Sequence, residues 1–244
     1  MKIIFSDFDG TLTNNGKLGA VFFDLLSLIE KNKSELVIVS GRSLSWGHFL
    51  LTHFPLRYAL MEGGGVLVYK THDGFLKEEY LVSQEEREKL QALITQIKKD
   101  LPQTIFSLDS LGRVTDCAVE FLKMSKKDVE NLENYLRQAG AHFSRSNVHI
   151  NFWYGNHNKF TSAKWFLKKY KSHLTLEETI FYGDSLNDET MFENMPNSVG
   201  VSNILTVLDE LKHKPKIILE GRDNAGAFGV YHHLKDLFDQ TEDF

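Results

Sequence analysis

A short apolar run, an amphipathic stretch and a second apolar run follow one another over residues 2–39, and that order constrains the fold more than any other feature of the chain. Residues 2–6 read as a strand, 17–31 as a helix with Val21, Phe22, Leu25, Leu26 and Ile29 on its inner face, and 35–39 as a second strand. Two strands joined through a helix form a crossover, which is almost always right-handed and makes the strands parallel. A parallel sheet must be covered on both faces. A helix over 43–54 and strands over 58–61 and 66–69 come next, the strands joined by Glu62-Gly63-Gly64-Gly65, a glycine-bent turn expected to make a hairpin edge.

The texture changes from residue 81 to 155. Charged helices are expected over 84–99 and 125–137, with strands over 104–108, 114–122 and 141–152, the pattern of a small α+β module. The earlier rhythm then resumes with helices over 159–170, 186–195, 204–212 and 225–238, and strands over 179–182, 198–201 and 216–219. The predicted fold is α/β: a doubly wound parallel sheet from residues 1–80 and 156–244, carrying an inserted cap over 81–155. The acidic tail, 236–244, is expected to fray.

Bulk properties exclude several functions. With 28 Lys and Arg against 33 Asp and Glu, the net charge of -5 lacks the positive excess that nucleic-acid binding needs. Cys117 is the single cysteine, so neither an intrachain disulfide nor a cysteine-rich zinc site is available. The first residues reach Ser6 and Asp7 too soon for a signal peptide, and no run approaches the roughly 18 apolar residues of a membrane span. The expectation is a soluble, cytoplasmic protein with no nucleic-acid or membrane partner, monomeric or homodimeric.

Four elements carry chemistry. Asp7 and Asp9, in Asp7-Phe8-Asp9-Gly10-Thr11, stand where the first strand ends, and ligands of open parallel sheets bind beyond the carboxyl ends of strands. Two residues apart, their Cα atoms lie about 6.6 Å from each other, close enough to face one ligand. Alone, the pattern serves equally as a structural turn. Ser40, in Val39-Ser40-Gly41-Arg42-Ser43, places a hydroxyl at the next strand end, before a helix whose N-terminus favours phosphate. Ser43 reads as that helix's N-cap, and Arg42 as an anchor for the neighbouring loop. Lys159 begins a helix after the cap. Finally, Gly183-Asp184-Ser185-Leu186-Asn187-Asp188 follows another apolar strand, with Asp184 and Asp188 four residues apart and expected on one side of a helical turn. A few carboxylates and carbonyls suit Mg²⁺, a hard cation that keeps several waters; helix capping is the alternative.

In this order the four elements resemble the motifs of haloacid dehalogenase superfamily phosphatases, a match that spans residues 3–188. About thirty residues separate Asp9 from Ser40 and more than one hundred separate Ser40 from Lys159. The cap therefore falls where the Cof-like, sucrose-phosphatase-like and trehalose-phosphatase-like branch carries its own, over a Rossmann-like core. The resemblance departs at Gly63, where that branch has asparagine.

The resemblance implies a Mg²⁺-dependent phosphatase acting on a small phosphorylated substrate, a sugar phosphate by family analogy. Asp7 is then the nucleophile that forms an aspartyl phosphate, and Asp9 the acid and base. Asp7, the Asp9 carbonyl and Asp184 would hold the metal, with Asp188 and Asn187 in support. Ser40 and Lys159 would grip the phosphoryl oxygens, and Gly41, Gly63 and Gly64 border the substrate. In the cap, Arg113 and the alternating His149, Asn151 and Trp153 are candidates to read the leaving group, although such strand faces are often merely solvated. Gly221 to Gly226 follow the last strand and border either the site or a helix entry. Two other functions stay open: a sugar phosphomutase, which calls for more cap arginines than Arg113, Arg137 and Arg145, and a phosphosugar-binding regulator with a silent site.

Overall fold

The computed structural model describes residues 1–145 and 149–242. In chain order its elements are β1 (Ile3–Ser6), α1 (Ala20–Lys31), β2 (Glu35–Val39), α2 (Leu44–His53), β3 (Tyr58–Met61), β4 (Val66–Lys70) and β5 (Leu76–Tyr80). Next come α3 (Gln84–Asp100), β6 (Asp116–Val119), α4 (Lys126–Gln138), β7 (His142–Arg145) and β8 (Ile150–Trp153). The chain finishes with α5 (Lys159–Tyr170), β9 (Thr179–Gly183), α6 (Glu189–Asn194), β10 (Ser198–Gly200), β11 (Ile217–Ile218) and α7 (Ala227–Glu242).

Eight strands form the main sheet in the order β11-β10-β9-β1-β2-β3-β4-β5. From β11 to β3 the pairing is parallel; β4 turns back antiparallel to β3, the expected hairpin, and β5, antiparallel to β4, takes the edge. Alternation along the central strands divides their side chains between two apolar layers. Ile4 and Ile38 pack with Phe22, Leu25 and Val230 of α1 and α7, while Phe5 and Val37 pack with Phe166 and Met191 of α5 and α6. Both faces are therefore buried, as a parallel sheet requires. Strand order reverses at β1, which has β2 on one side and β9 on the other. Such a switch point leaves a crevice at the carboxyl ends of the strands.

Residues between β5 and α5 build a three-stranded antiparallel sheet, ordered β6-β8-β7, with α3 and α4 on one face. Cys117, Val119, Ile150 and Phe152 pack with Leu90, Ile97 and Leu132 of those helices. The alternate residues, among them Asp116, Asn151 and Trp153, line space shared with the core.

Several predicted elements change. Residues 104–108 are not a strand: Phe106 makes an isolated bridge to Val119, and a 3₁₀ turn over Leu108–Gly112 follows. The strand expected over 114–122 shortens to β6: at its start the N–H groups of Val114 and Thr115 are taken by the Glu62 carboxylate, and at its end a 3₁₀ turn over Phe121–Lys123 begins. The run 141–152 splits into β7 and β8, with residues 146–148 outside the described residues. Residues 202–206 form a 3₁₀ turn in place of the helix expected over 204–212. β5, rich in Lys and Glu, was not anticipated; it is the edge strand, where charge is tolerated. Residues 236–242 continue α7 where a frayed tail was expected, and 243–244 lie outside the described residues.

Candidate active site

The crevice at the switch point opens into a cavity of about 740 Å³, lined by Asp7, Asp9, Ser40, Gly41, Asp184 and Asn187 from the core and by Arg113, His149 and Asn151 from the cap. A smaller chamber of about 230 Å³ shares Gly41, Asn151 and Asn187 with it and adds Gly63, Asp116, Trp153 and Lys159.

Lys159 organises the floor. Asn158 caps α5 through a reciprocal pair with Thr161, which fixes Lys159 as the first helical residue. Its ammonium donates to Asp7 Oδ1 at 2.9 Å, Asp188 Oδ1 at 2.6 Å and Asn187 Oδ1 at 3.0 Å. Burial opposes that charge, but Asp188 and Asp7 outweigh it and push the Lys159 pKa above its ordinary value.

Asp184 comes within reach through β1's own loop. Gly10 sits at φ +80°, and a Cβ there would overlap the Asp184 carboxylate, so the close approach needs glycine on both counts. Thr11 Oγ1 donates to Asp184 Oδ1 at 2.8 Å, and Asn203 Nδ2 holds the Gly10 carbonyl at 2.7 Å. Oxygen atoms of Asp7, Asp184 and Asp188 all lie within 4.8 Å of one another. Burial pushes Asp7 up to about 7 against the pull of Lys159, and burial with the charges of Asp7 and Asp188 pushes Asp184 up to about 8. Three crowded carboxylates against one lysine fit a bound cation with oxygen preference.

Asp188 is already engaged. Its Oδ2 accepts from the N–H groups of Asp184 and Ser185 at 3.0 and 3.1 Å, and its Oδ1 from Lys159. It follows Asp184 through a 3₁₀ turn, not along one face of a regular helix, and forms a capping box with Ser185. Asp188 thus braces the loop, as the capping alternative expected, whereas Asp184 makes no such cap.

Asp9 meets Arg42. The guanidinium donates to both Asp9 oxygens, at 2.6 and 2.7 Å, and lies over the Trp46 ring. Arg42 therefore anchors the neighbouring loop, and does so through a carboxylate of the cavity. Ser40 is buried, and its Oγ accepts from the Arg42 N–H at 3.2 Å. Ser43 occupies the N-cap position of α2 without a side-chain cap bond; its hydroxyl donates instead to Asp109 at 2.6 Å.

The expected cap readers differ in kind. Arg113 is not free to meet substrate: its side chain is 3% exposed and tied to Asp116 at 2.7 Å and Asp109 at 2.6 Å. Asn151 donates to Asp116 at 2.8 Å and lines both spaces. Trp153 stacks on His142 at the wall of the smaller chamber, and His149 lines the larger one. Gly63 lines the smaller chamber, but Gly64 is buried against Ser162 and borders neither. Residues 221–226 also lie outside both linings, and a 3₁₀ turn over Arg222–Asn224 leads into α7 there. The sequence reading passed over Glu62, Thr11, Asp116 and Asn203. Glu62 had a usable signal, since it is the polar residue ending a parallel strand, the position that marked Asp7 and Ser40.

The model of the sucrose-6F-phosphate phosphohydrolase family matches residues 1–234. No curated protein sequence matches significantly. Among solved structures, a haloacid dehalogenase-like hydrolase from Bacteroides thetaiotaomicron superposes with a TM-score of 0.73 at 18% identity, covering 96% of this chain and 99% of its own. The sucrose-phosphatase from Synechocystis sp. PCC6803, solved with sucrose and phosphate, gives 0.71 at 15% identity, with 96% and 97% covered. A trehalose-6-phosphate phosphatase related protein gives 0.66 at 17%, with 98% and 100% covered. At these identities the likeness speaks to the fold.

Proposed function

The chain belongs to the sucrose-6F-phosphate phosphohydrolase family, phosphatases of the haloacid dehalogenase superfamily, and on that premise we propose that it hydrolyses a sugar phosphate or a related small phosphomonoester through an aspartyl phosphate on Asp7. The observation that carries the reading is the pairing of Asp7 with buried Lys159 at the end of the central strand, with Asp9 two residues on along the same cavity.

Lys159 holds Asp7 Oδ1, so attack on phosphorus is assigned to Oδ2. The phosphorus–ester oxygen bond breaks as the new bond forms, and the departing alkoxide takes a proton from Asp9. Water then attacks phosphorus, Asp9 receives its proton, and Asp7 is released as carboxylate. Ser40 and Lys159 donate to the phosphoryl oxygens. For Asp9 to act, its carboxyl must turn away from Arg42, which holds both oxygens in the structure. Asp7, Asp184 and the Asp9 carbonyl are the residues that would hold Mg²⁺, and the ion, when bound, would neutralise phosphoryl charge. Asp188 supports that set through the Asp184 and Ser185 N–H groups.

Mutase action is the weaker reading. Each arginine lining the cavity is paired with a carboxylate: Arg42 with Asp9, Arg113 with Asp109 and Asp116, Arg145 with Glu133. A second phosphate would have to break one of these pairs. Phosphate release measured across sugar phosphates, sugar-acid phosphates and nucleotides, with and without EDTA, tests the proposal. Release that needs added Mg²⁺ supports it, while binding without release points to a regulator, and activity that depends on a hexose bisphosphate points to a mutase.

A further inference from the structure

The phosphate loop and the first strand of the cap meet at one buried carboxylate. Glu62 follows β3 at φ +55°, a backbone region that residues with a side chain enter only under constraint. Its N–H donates to the Arg42 carbonyl at 2.9 Å, and the next N–H, of Gly63, to the Ser40 carbonyl at 3.0 Å. The turn is thereby bonded to the loop that carries Ser40.

The Glu62 carboxylate joins that loop to the cap. Oε1 accepts from the Leu44 N–H, at the start of α2, at 2.8 Å. Oε2 accepts from the Thr115 N–H and hydroxyl, both at 2.6 Å, and from the N–H groups of Val114 at 3.1 Å and Asp116 at 3.3 Å. Each of these partners is a donor, so an amide in place of the carboxylate would turn an NH₂ group toward N–H groups whichever way it was flipped. Beyond this contact, Asp116 takes Arg113 and Asn151, and Asp116, Asn151 and Trp153 line the smaller chamber. Glu62 also borders that chamber but is 1% exposed, which leaves almost no surface for a substrate to touch.

We propose that Glu62 is a positioning residue that registers the cap's substrate-facing strands on the phosphate loop, so that recognition of the ester's organic part depends on a carboxylate of the core. The proposal rests on the reading that the cap contacts the leaving group. It differs from a general anchoring role because the bonds run to one end of one cap strand, the end that carries Asp116.

Glu62→Gln in the full chain, assayed with Mg²⁺, tests it. The assay uses 4-nitrophenyl phosphate and the best of sucrose 6F-phosphate, glucose 6-phosphate and fructose 6-phosphate. The variant should lose about 10- to 100-fold in kcat/KM on the sugar phosphate, the scale of one or two charged hydrogen bonds, and less than about 3-fold on the aryl ester. Leu132→Ala, in the cap's apolar core, is the structural control: it should lower the melting temperature and change both activities in parallel. Should Glu62→Gln fail to fold, Thr115→Val removes one donor and should give a smaller split in the same direction. Equal losses on both esters in a folded Glu62→Gln or Thr115→Val variant, a split of the same size from Leu132→Ala, or a wild-type enzyme that prefers the aryl ester to every sugar phosphate would each overturn the proposal. A wild-type protein inactive on all of these esters would fell the hydrolase reading first, and the proposal with it.

Discussion

On the floor of the cavity, Asp7 and Ser40 stand at the ends of parallel strands and Asp184 follows a third, with Asp7 held by Lys159 of α5, Asp184 by Thr11 of the β1 loop and Ser40 within its own loop; on the cap, Asp116, Asn151 and Trp153 are alternate residues of strands whose other face is the cap's apolar core. The floor is therefore fixed by the main sheet. The cap's face is fixed only as well as the cap itself is placed, which is where Glu62 and Asp109 enter, each holding the start of α2 to the approach to β6. The difference separates chemistry from recognition, and substitutions should divide the same way.

The largest expected effect lies on the floor. Asp7→Asn should lower turnover on every ester by more than about 1,000-fold, with circular dichroism unchanged. Because Asp7 is one of three crowded carboxylates, the variant should also melt higher than wild type at pH 8 without metal. A lower melting temperature would mean that the carboxylates are not in conflict.

Removing the metal comes next. EDTA should abolish activity and Mg²⁺ restore it, and a second readout follows from pH. Asp7 and Asp184 have folded pKa values of about 7 and about 8, above their ordinary 3.8. Groups raised in this way favour the folded state at low pH, and that contribution is lost as pH rises from about 4 through 8. The metal-free protein should lose melting temperature across this window, and Mg²⁺ should raise the melting temperature more at pH 8 than at pH 5.5. A Mg²⁺ shift independent of pH would argue that the ion does not sit among these carboxylates.

Asp9→Asn should cost about 100-fold or more on an alkyl phosphate and less than about 10-fold on 4-nitrophenyl phosphate, whose leaving group needs no proton. Equal losses would leave Asp9 with a positioning role only. The smallest effect belongs to the cap: Trp153→Ala should weaken a sugar phosphate by about 3- to 30-fold through KM, the scale of a lost stacking wall, and leave the aryl ester unchanged. A change in kcat on both esters would place a catalytic group in the cap and erase the contrast.

The contrast also explains what could be read from the sequence. Asp7, Ser40 and Asp184 were legible because a polar residue after a short apolar run marks a strand end, and doubly wound sheets gather their strand ends. Alternation likewise put His149, Asn151 and Trp153 on the polar face. Pairing partners were not legible. Arg42 could be assigned to a neighbouring loop but not to Asp9, 33 residues away, and Arg113 looked available because its partners, Asp109 four residues before and Asp116 three after, close around it only through a 3₁₀ turn where a strand was expected to end. The start of the 114–122 strand was lost for a related reason: β-propensity there yields to the Glu62 carboxylate, a tertiary contact 53 residues distant at Thr115. Gly64 was misplaced because a glycine-rich turn does not disclose which glycine packs and which lines a space.

The central claim is that Asp7 carries the phosphoryl group. Acid-quenching wild-type enzyme during steady turnover of 4-nitrophenyl phosphate, followed by mass spectrometry of the peptide spanning the first strand, measures it directly. The account predicts a phosphorylated peptide modified at Asp7, absent in Asp7→Asn and more abundant in Asp9→Asn if hydrolysis becomes limiting. Turnover at the wild-type rate with no phosphorylated peptide, together with inversion of configuration at phosphorus, would show direct attack by water and contradict it.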